Sequence, residues 1–536
     1  MSYADTLITG GRIFRGLHDG FAEALAIHRG RVVASGARAA VEALVGPGTR
    51  RIDLAGRLAV PAFNDSHLHL LPLGLTMKQI NLKPPEVTSL DALFARIRAA
   101  AQSAAKGAWI LGRGWDDSEL AERRPPTANE LQQAAPNHPV LAVRTCGHAA
   151  VANHAALALA GIGPDTPDPD GGRIEREGGR PSGVLHESAI RMVRACIPQP
   201  TDAMLVDAIE RAGNFLLTEG FTAVMDANVG MVAGMREVDA YRRAQADARL
   251  PVRTWICLAG NPEGIAERAW QSGIRPGEGD EMLRFGAVKV FADGSAGGRT
   301  AAMLEPYVQG GTGMFIFPHD VLHGLFARYH RQGWQLAIHA IGDAAIETTL
   351  AGFEAMDTGE NPVAGRRHRI EHCEFVRPGQ IARMAARGIE AVPQMIFHHE
   401  FGEMYVQNLG RARAAASNPM RAWMDAGMHP AAGSDAPVSA TSPFLNIHAM
   451  VTRLTNHGTL LGPEQRVSVA EAIHSYTWAS AFTQFAETRR GRLVPGQIAD
   501  IAVLSQDVFD IDAESIPSTV TDMTLRDGCV VFDRNA

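Results

Sequence analysis

The chain has 536 residues, with 51 Lys+Arg against 58 Asp+Glu and 46% apolar residues. A formal charge of −7 argues against a nucleic-acid or anionic-membrane surface, since both need a basic field, and the apolar share is that of a globular protein, not a disordered one. One barrel of about 250 residues would leave nearly half the chain over, so more than one domain or a large insertion is expected.

No apolar run approaches the ~18 residues of a transmembrane helix. The start, MSYADTLITGG, lacks the basic and apolar regions of a signal peptide. The five cysteines (Cys146, Cys196, Cys257, Cys373, Cys529) are odd in number and far apart, with no Cys-x-x-Cys pair. This predicts reduced thiols and a cytoplasmic location.

In chain order, the first sixty residues read as short strands between glycine turns. The tail, with Ala499-Asp500-Ile501-Ala502-Val503-Leu504 and Cys529-Val530-Val531-Phe532, has the same texture. Neither end buries enough alone, so 1–56 and 488–536 are expected to pair into one small β-sandwich domain. The centre changes period. Met204, Leu205, Ala208, Ile209, Ala212, Phe215 and Leu216 make a helical apolar face closed by Gly220, and the buried strand 221–225 follows. Further strands are expected at 252–257, 285–291, 335–339, 368–372, 389–392 and 429–432, with helices between most of them. With 58–63 in front, the count is eight. Strand–helix alternation implies a parallel sheet, and eight units predict an α/β fold, a (β/α)8 TIM-type barrel over 57–487. The connection from residue 63 to Phe221 is several times the ~30 residues of one βαβ unit. It reads as an inserted subdomain at about 75–200, expected to lie over the barrel mouth.

The sharpest motif is Asp65-Ser66-His67-Leu68-His69. Residues i and i+2 of a strand point the same way, so His67 and His69 aim together and can hold a divalent metal. The alternative is two surface histidines at a strand–loop junction. His339, His372 and Asp435 each end a predicted barrel strand, where barrel enzymes place their chemistry. Lys289 sits in the apolar strand Ala287-Val288-Lys289-Val290-Phe291. A buried ammonium is costly unless paired or neutralised. It either pairs with a carboxylate such as Asp293 or is carbamylated, becoming an anion that bridges metal ions.

This set, with Lys289-Val-Phe-Ala-Asp-Gly-Ser295, Arg299-Thr300-Ala301, His339-Ala-Ile-Gly-Asp343, Arg369-Ile-Glu-His372, Gly433-Ser-Asp-Ala-Pro437, Gly147-His148, Asn153 and the tail Gly491-x-Leu493…Gly496-x-x-Ala499-Asp500-Ile501, resembles the amidohydrolase superfamily. Within it the words are similar to the amidohydrolase-3 branch, which includes N-substituted formamide deformylase-like proteins. One departure is Ala62, where the family usually has Gly.

The resemblance implies that His67, His69 and Asp435 bind one metal, and that carbamylated Lys289 bridges to a second held by His339 and His372. It implies one or two divalent ions, zinc first, with manganese or iron as alternatives. It also implies hydrolysis of an amide, N-acyl or N-formyl C–N bond by a metal-activated hydroxide, with Asp435 as the catalytic acid–base. Deamination of a cyclic or amidine substrate, isomerisation, and a non-catalytic metal-binding barrel are the alternatives. The expected partners are a small-molecule substrate and, as an assembly option, a second copy in a homodimer.

Three residues are candidates for substrate contact: His148 in the insertion, Trp115 as an aromatic wall, and His398 just past the seventh strand. The run Arg366-Arg367-His368-Arg369 reads as a solvated face.

Overall fold

The computed structural model describes residues 3–117, 119–145, 147 and 149–536. It divides into two compact units, one spanning Leu75–Thr201 and the other made of the residues up to Gly74 with Asp202–Ala536.

The larger unit is built on seven parallel strands: β1 (Phe63–Leu68), β2 (Phe221–Val229), β3 (Arg253–Ala259), β4 (Leu283–Phe291), β5 (Gln335–Ala340), β6 (Arg369–His372) and β7 (Glu390–Val392). Each pairs with the next in sequence order. Both faces are covered, which is why these strands read as nearly continuous apolar runs. The helix Asp202–Thr218 buries Leu205, Ala208, Ile209, Ala212 and Leu216. Gly220, at φ 89°, turns the chain into β2. The architecture is an α/β barrel of the TIM type.

Two strand expectations need correction. The expected strand 429–432 is not a regular strand, yet this segment closes the sheet. Ala431 and Gly433 N–H donate to the carbonyls of Ala391 and Pro393 on one side, while Ser66 N–H donates to Ala432 O on the other. The ladder is not reciprocated because Pro393 has no N–H to return. On the β1 side the Asp65 carboxylate takes the N–H groups of His67 (3.0 Å) and Ser434 (3.1 Å).

The apolar run 58–63 is also not one barrel strand. Leu58–Pro61 pairs antiparallel with Ile501–Leu504 and parallel with Arg12–Gly16, and the barrel strand begins only at Phe63. A single hydrophobic run thus serves two sheets, and the terminal sheets reach Pro61, past residue 56.

Those sheets have four and six strands, and the second contains segments from both ends of the chain. Ile8, Leu25, Ile27 and Ile52 of the first share an apolar cluster with Ile13, Ala59, Ile501, Val503 and Leu525 of the second.

The unit Leu75–Thr201 has its own six-stranded sheet and its own apolar clusters, one of which includes Leu93, Ile97, Trp115, Leu131 and Val140. No helix among the described residues is long and apolar enough to cross a membrane.

Candidate metal centre

Parallel pairing brings the carboxyl ends of the barrel strands together, and the candidate ligands collect there. His67 lies on β1, Lys289 on β4, His339 on β5 and His372 at the end of β6. His69 is the residue after Leu68, the last of β1. Asp435 follows the closing segment, and its N–H donates to His67 O at 2.7 Å. Gly433 permits this approach, since a Cβ there would lie 2.8 Å from both Cβ and N of His67.

Strand alternation would send Glu371 and His372 to opposite faces. His372 instead has a φ of 69°, followed by Cys373 at 52°, and Asp435 has 56°. Three neighbouring non-glycine residues in the left-handed region mark a site where packing imposes backbone strain.

The ligand atoms of His67, His372 and Asp435 all lie within 4.8 Å of one another. Asp435 Oδ1 is 3.0 Å from His69 Nε2 and 3.4 Å from His67 Nε2. Lys289 Nζ lies 3.4 Å from His67 Nε2. The ring centres of His339 and His372 are 4.5 Å apart, and those of His67 and His372 4.9 Å. His67 is therefore the hub: it touches members of both implied ligand sets.

Hydrogen bonds set which nitrogen of each ring faces inward. His67 Nδ1 bonds to Glu371 Oε2, which leaves Nε2 toward Asp435 and Lys289. His372 Nδ1 donates to Gln394 Oε1 at 2.6 Å, again leaving Nε2. His339 Nε2 donates to Gly294 O at 3.0 Å, leaving Nδ1.

Burial drives the His339 pKa down to about 3, and the Lys289 charge adds to the effect. Burial also holds His372 well below the usual imidazole range, helped by His339 and His67. Both rings are thus in the neutral form that binds metal. Burial alone would raise the Asp435 pKa, but His67 and His69 outweigh it and hold the carboxyl well below the ordinary range. Burial lowers the Lys289 pKa, opposed by the charges of Glu371 and Asp435. Asp435 Oδ1 and His69 Nδ1 are buried without a hydrogen-bond partner. An unsatisfied carboxylate oxygen among imidazole nitrogens is what a divalent cation would satisfy.

Other sequence-level candidates fall elsewhere. Trp115 is 1% exposed in the interior of the Leu75–Thr201 unit, with Nε1 donating to Ala142 O at 2.9 Å; it is a core anchor and offers no face to a ligand. His398 is buried, and its Nε2 meets Arg453 O. Its neighbour Phe397 is the residue that faces the centre, stacked on His372 at 6.0 Å and 9°. His148 lies outside the described residues. Asn153 caps the helix His154–Leu159. Asp293 is not the partner of Lys289: its carboxylate accepts from the backbone N–H of Ala302, Ile341 and Gly342.

The sequence reading missed Glu371, Arg369, Gln394 and the knot at Asp65. Arg369 was hidden in a basic run that reads as surface, yet His368 and Arg369 are fully buried. Asp65, raised by burial to about 7, is opposed by hydrogen bonds from Ser434 and His67. The only local signal for Glu371 was an acidic residue two positions from an arginine in an otherwise buried strand.

Together these features define a metal-binding α/β barrel with its chemistry at the carboxyl ends of the strands. The chain belongs to the amidohydrolase family, whose model matches residues 50–532. It is 30% identical to the putative amidohydrolase YtcJ of Bacillus subtilis, over 98% of this chain and 99% of that protein. It is 28% identical to the N-substituted formamide deformylase of Arthrobacter pascens, over 96% of this chain and 95% of that one. Among solved structures, an uncharacterized metal-dependent hydrolase from Pyrococcus horikoshii OT3 superposes with a TM-score of 0.79 at 27% identity, covering 95% of this chain and 99% of that one. The protein is a hydrolase, and its residue set fits a divalent metal ion.

Proposed function

We propose that the protein hydrolyses the carbon–nitrogen bond of a linear amide, with an N-acyl or N-formyl amine as the substrate class. The observation that carries this reading is the buried convergence of His67, His372 and Asp435 on a barrel of the amidohydrolase family. The relative named as a formamide deformylase supports the substrate class.

His67, His69, His372 and Asp435 would hold one divalent ion, zinc first and manganese or iron as alternatives, with Lys289 and His339 serving a second. Such an ion supplies an acidified water and polarises the scissile carbonyl. Asp435, ionised and beside two imidazoles, accepts a proton from the attacking water. It then returns the proton to the leaving nitrogen, a step an amine leaving group requires. Lys289 is fully buried, and burial favours its neutral amine. The neutral amine is the form that adds CO₂, losing a proton to give a carbamate, which would place an anion beside His67.

The test is a screen of N-formyl and N-acyl amines with the metal-loaded protein, reading release of one amine and one acid per turnover. Asp435→Asn and His67→Ala should each abolish turnover. Full activity in both variants, or turnover without release of an amine, overturns the reading.

A further inference from the structure

Glu371 and Arg369 are fully buried charges on β6. As residues i and i+2 of a strand they share one face. Arg369 Nε meets Glu371 Oε1, and Nη2 lies 3.0 Å from Oε2, which is the two-pronged pairing of guanidinium with carboxylate. If ion pairing were the whole purpose, the contacts would end there, and they do not.

Glu371 Oε2 also meets His67 Nδ1. The same Arg369 Nη2 donates to Ser66 O at 2.6 Å, and Ser66 immediately precedes His67 in the chain. Strand β6 therefore grips β1 at two points, the backbone entering His67 and the far side of its ring. The two strands are not neighbours in the sheet order, so no ladder hydrogen bond fixes their relation across the barrel. The two-pronged guanidinium contact marks the acceptor behind His67 as a carboxylate.

We propose that Glu371, held by Arg369, is the positioning residue for His67: it fixes the Nδ1–H tautomer, aims Nε2 at the centre and raises the basicity of that nitrogen, so that metal affinity depends on it. A carboxylate behind a ligating imidazole has this effect, and its loss typically costs 10–100-fold in metal affinity. The inference rests on the metal reading and is independent of which bond the enzyme cleaves.

The test uses the full chain, stripped of metal, with zinc affinity measured by competition against a chelator and the visible spectrum recorded after cobalt substitution. E371Q keeps an acceptor but loses the charge, and it leaves Arg369 unpaired in the interior. The double variant R369M/E371L removes both charges together, a replacement that buried pairs often tolerate. The expected result is about a tenfold loss of zinc affinity in E371Q, approaching 100-fold in the double variant, with a shifted cobalt spectrum in each. Wild-type affinity and an unchanged cobalt spectrum in either folded variant overturn the proposal. So does a double variant that cannot fold, because the pair is then required by the fold itself. Failure of the wild-type chain to bind any metal is a different result and sinks the metal reading instead.

Discussion

Gln394 Oε1 accepts a hydrogen bond from His372 Nδ1 at 2.6 Å, which ties the segment just past β7 to the orientation of the candidate ligand at the end of β6. Gln394 in turn donates to Val392 O at 2.9 Å, so its carbonyl cannot turn away. Gln394→Leu is expected to weaken zinc binding about 10–100-fold by freeing the ring to rotate or change tautomer. Chelator competition measures it, and wild-type affinity in the variant refutes the orienting role.

Gly433 has no room for a side chain against His67. Gly433→Ala pushes the closing segment away from β1 and is expected to cost about 1–3 kcal/mol of stability. Because Asp435 sits two residues on, metal affinity should fall as well. Thermal unfolding and metal titration on the same preparation check both, and a variant matching the wild type in both would show the contact to be soft.

Exhaustive dialysis against a chelator should abolish turnover, with zinc, manganese or iron restoring it. The measurement is activity alongside elemental metal content. Turnover that persists in protein free of metal is incompatible with the centre described above.

Trp115 tests the difference between a pocket wall and a core anchor. Trp115→Ala is expected to destabilise the protein by about 3–5 kcal/mol, because it removes a buried ring from the cluster with Leu93 and Val140. Trp115→Phe should recover most of that loss with little change in KM. A KM raised severalfold by Trp115→Phe at unchanged stability would restore the pocket-wall role.

Acid should destabilise the fold in the range where unfolded-chain histidines take up protons. His368 is fully buried: its Nδ1 accepts from Leu336 N–H at 3.0 Å and its Nε2 faces His330 Nδ1 at 2.9 Å. Burial first, then His330 and Arg366, hold its pKa well below the usual value. A histidine depressed in the folded state contributes stability that is fully present above its unfolded pKa of about 6.5. That stability is lost as the pH falls below this value, at up to about 1.4 kcal/mol per pH unit for one proton. Melting temperatures measured from pH 8 to pH 5 should therefore fall through the lower half of the range. His368→Asn should start less stable and show a shallower slope, whereas an unchanged slope assigns the acid sensitivity to other groups.

Much of the barrel was legible because its signals are local. Apolar strands closed by glycine-ended helices announce themselves within a dozen residues, and six of the seven parallel strands fall where the periodicity puts them. The two failures have one cause. Residues 58–63 form one hydrophobic run, and only the pairing of Leu58–Pro61 with Ile501–Leu504 divides it from the barrel strand that begins at Phe63. The closing segment near Ala431 looks like a strand in composition but loses its ladder to Pro393 and the Asp65 carboxylate. Each depends on a partner hundreds of residues away, Ile501–Leu504 for the first and Asp65 for the second.

The sequence by itself determined the set of chemical groups: His67, His69, Lys289, His339, His372 and Asp435, each near the end of a strand of known period. The tertiary structure decided which of them meet and in what state. His67, His372 and Asp435 form the tightest group, His69 and Lys289 stand beside His67, and Glu371, Gln394 and the Gly294 carbonyl choose the nitrogen each ring presents. It also decided that Trp115 and His398 are interior residues and that Arg369, within a basic run, is a buried anchor. The physical reason is that burial, tautomer and charge are properties of an environment. Glu371 and His67 are 304 residues apart, and nothing in the chain near either one records the other.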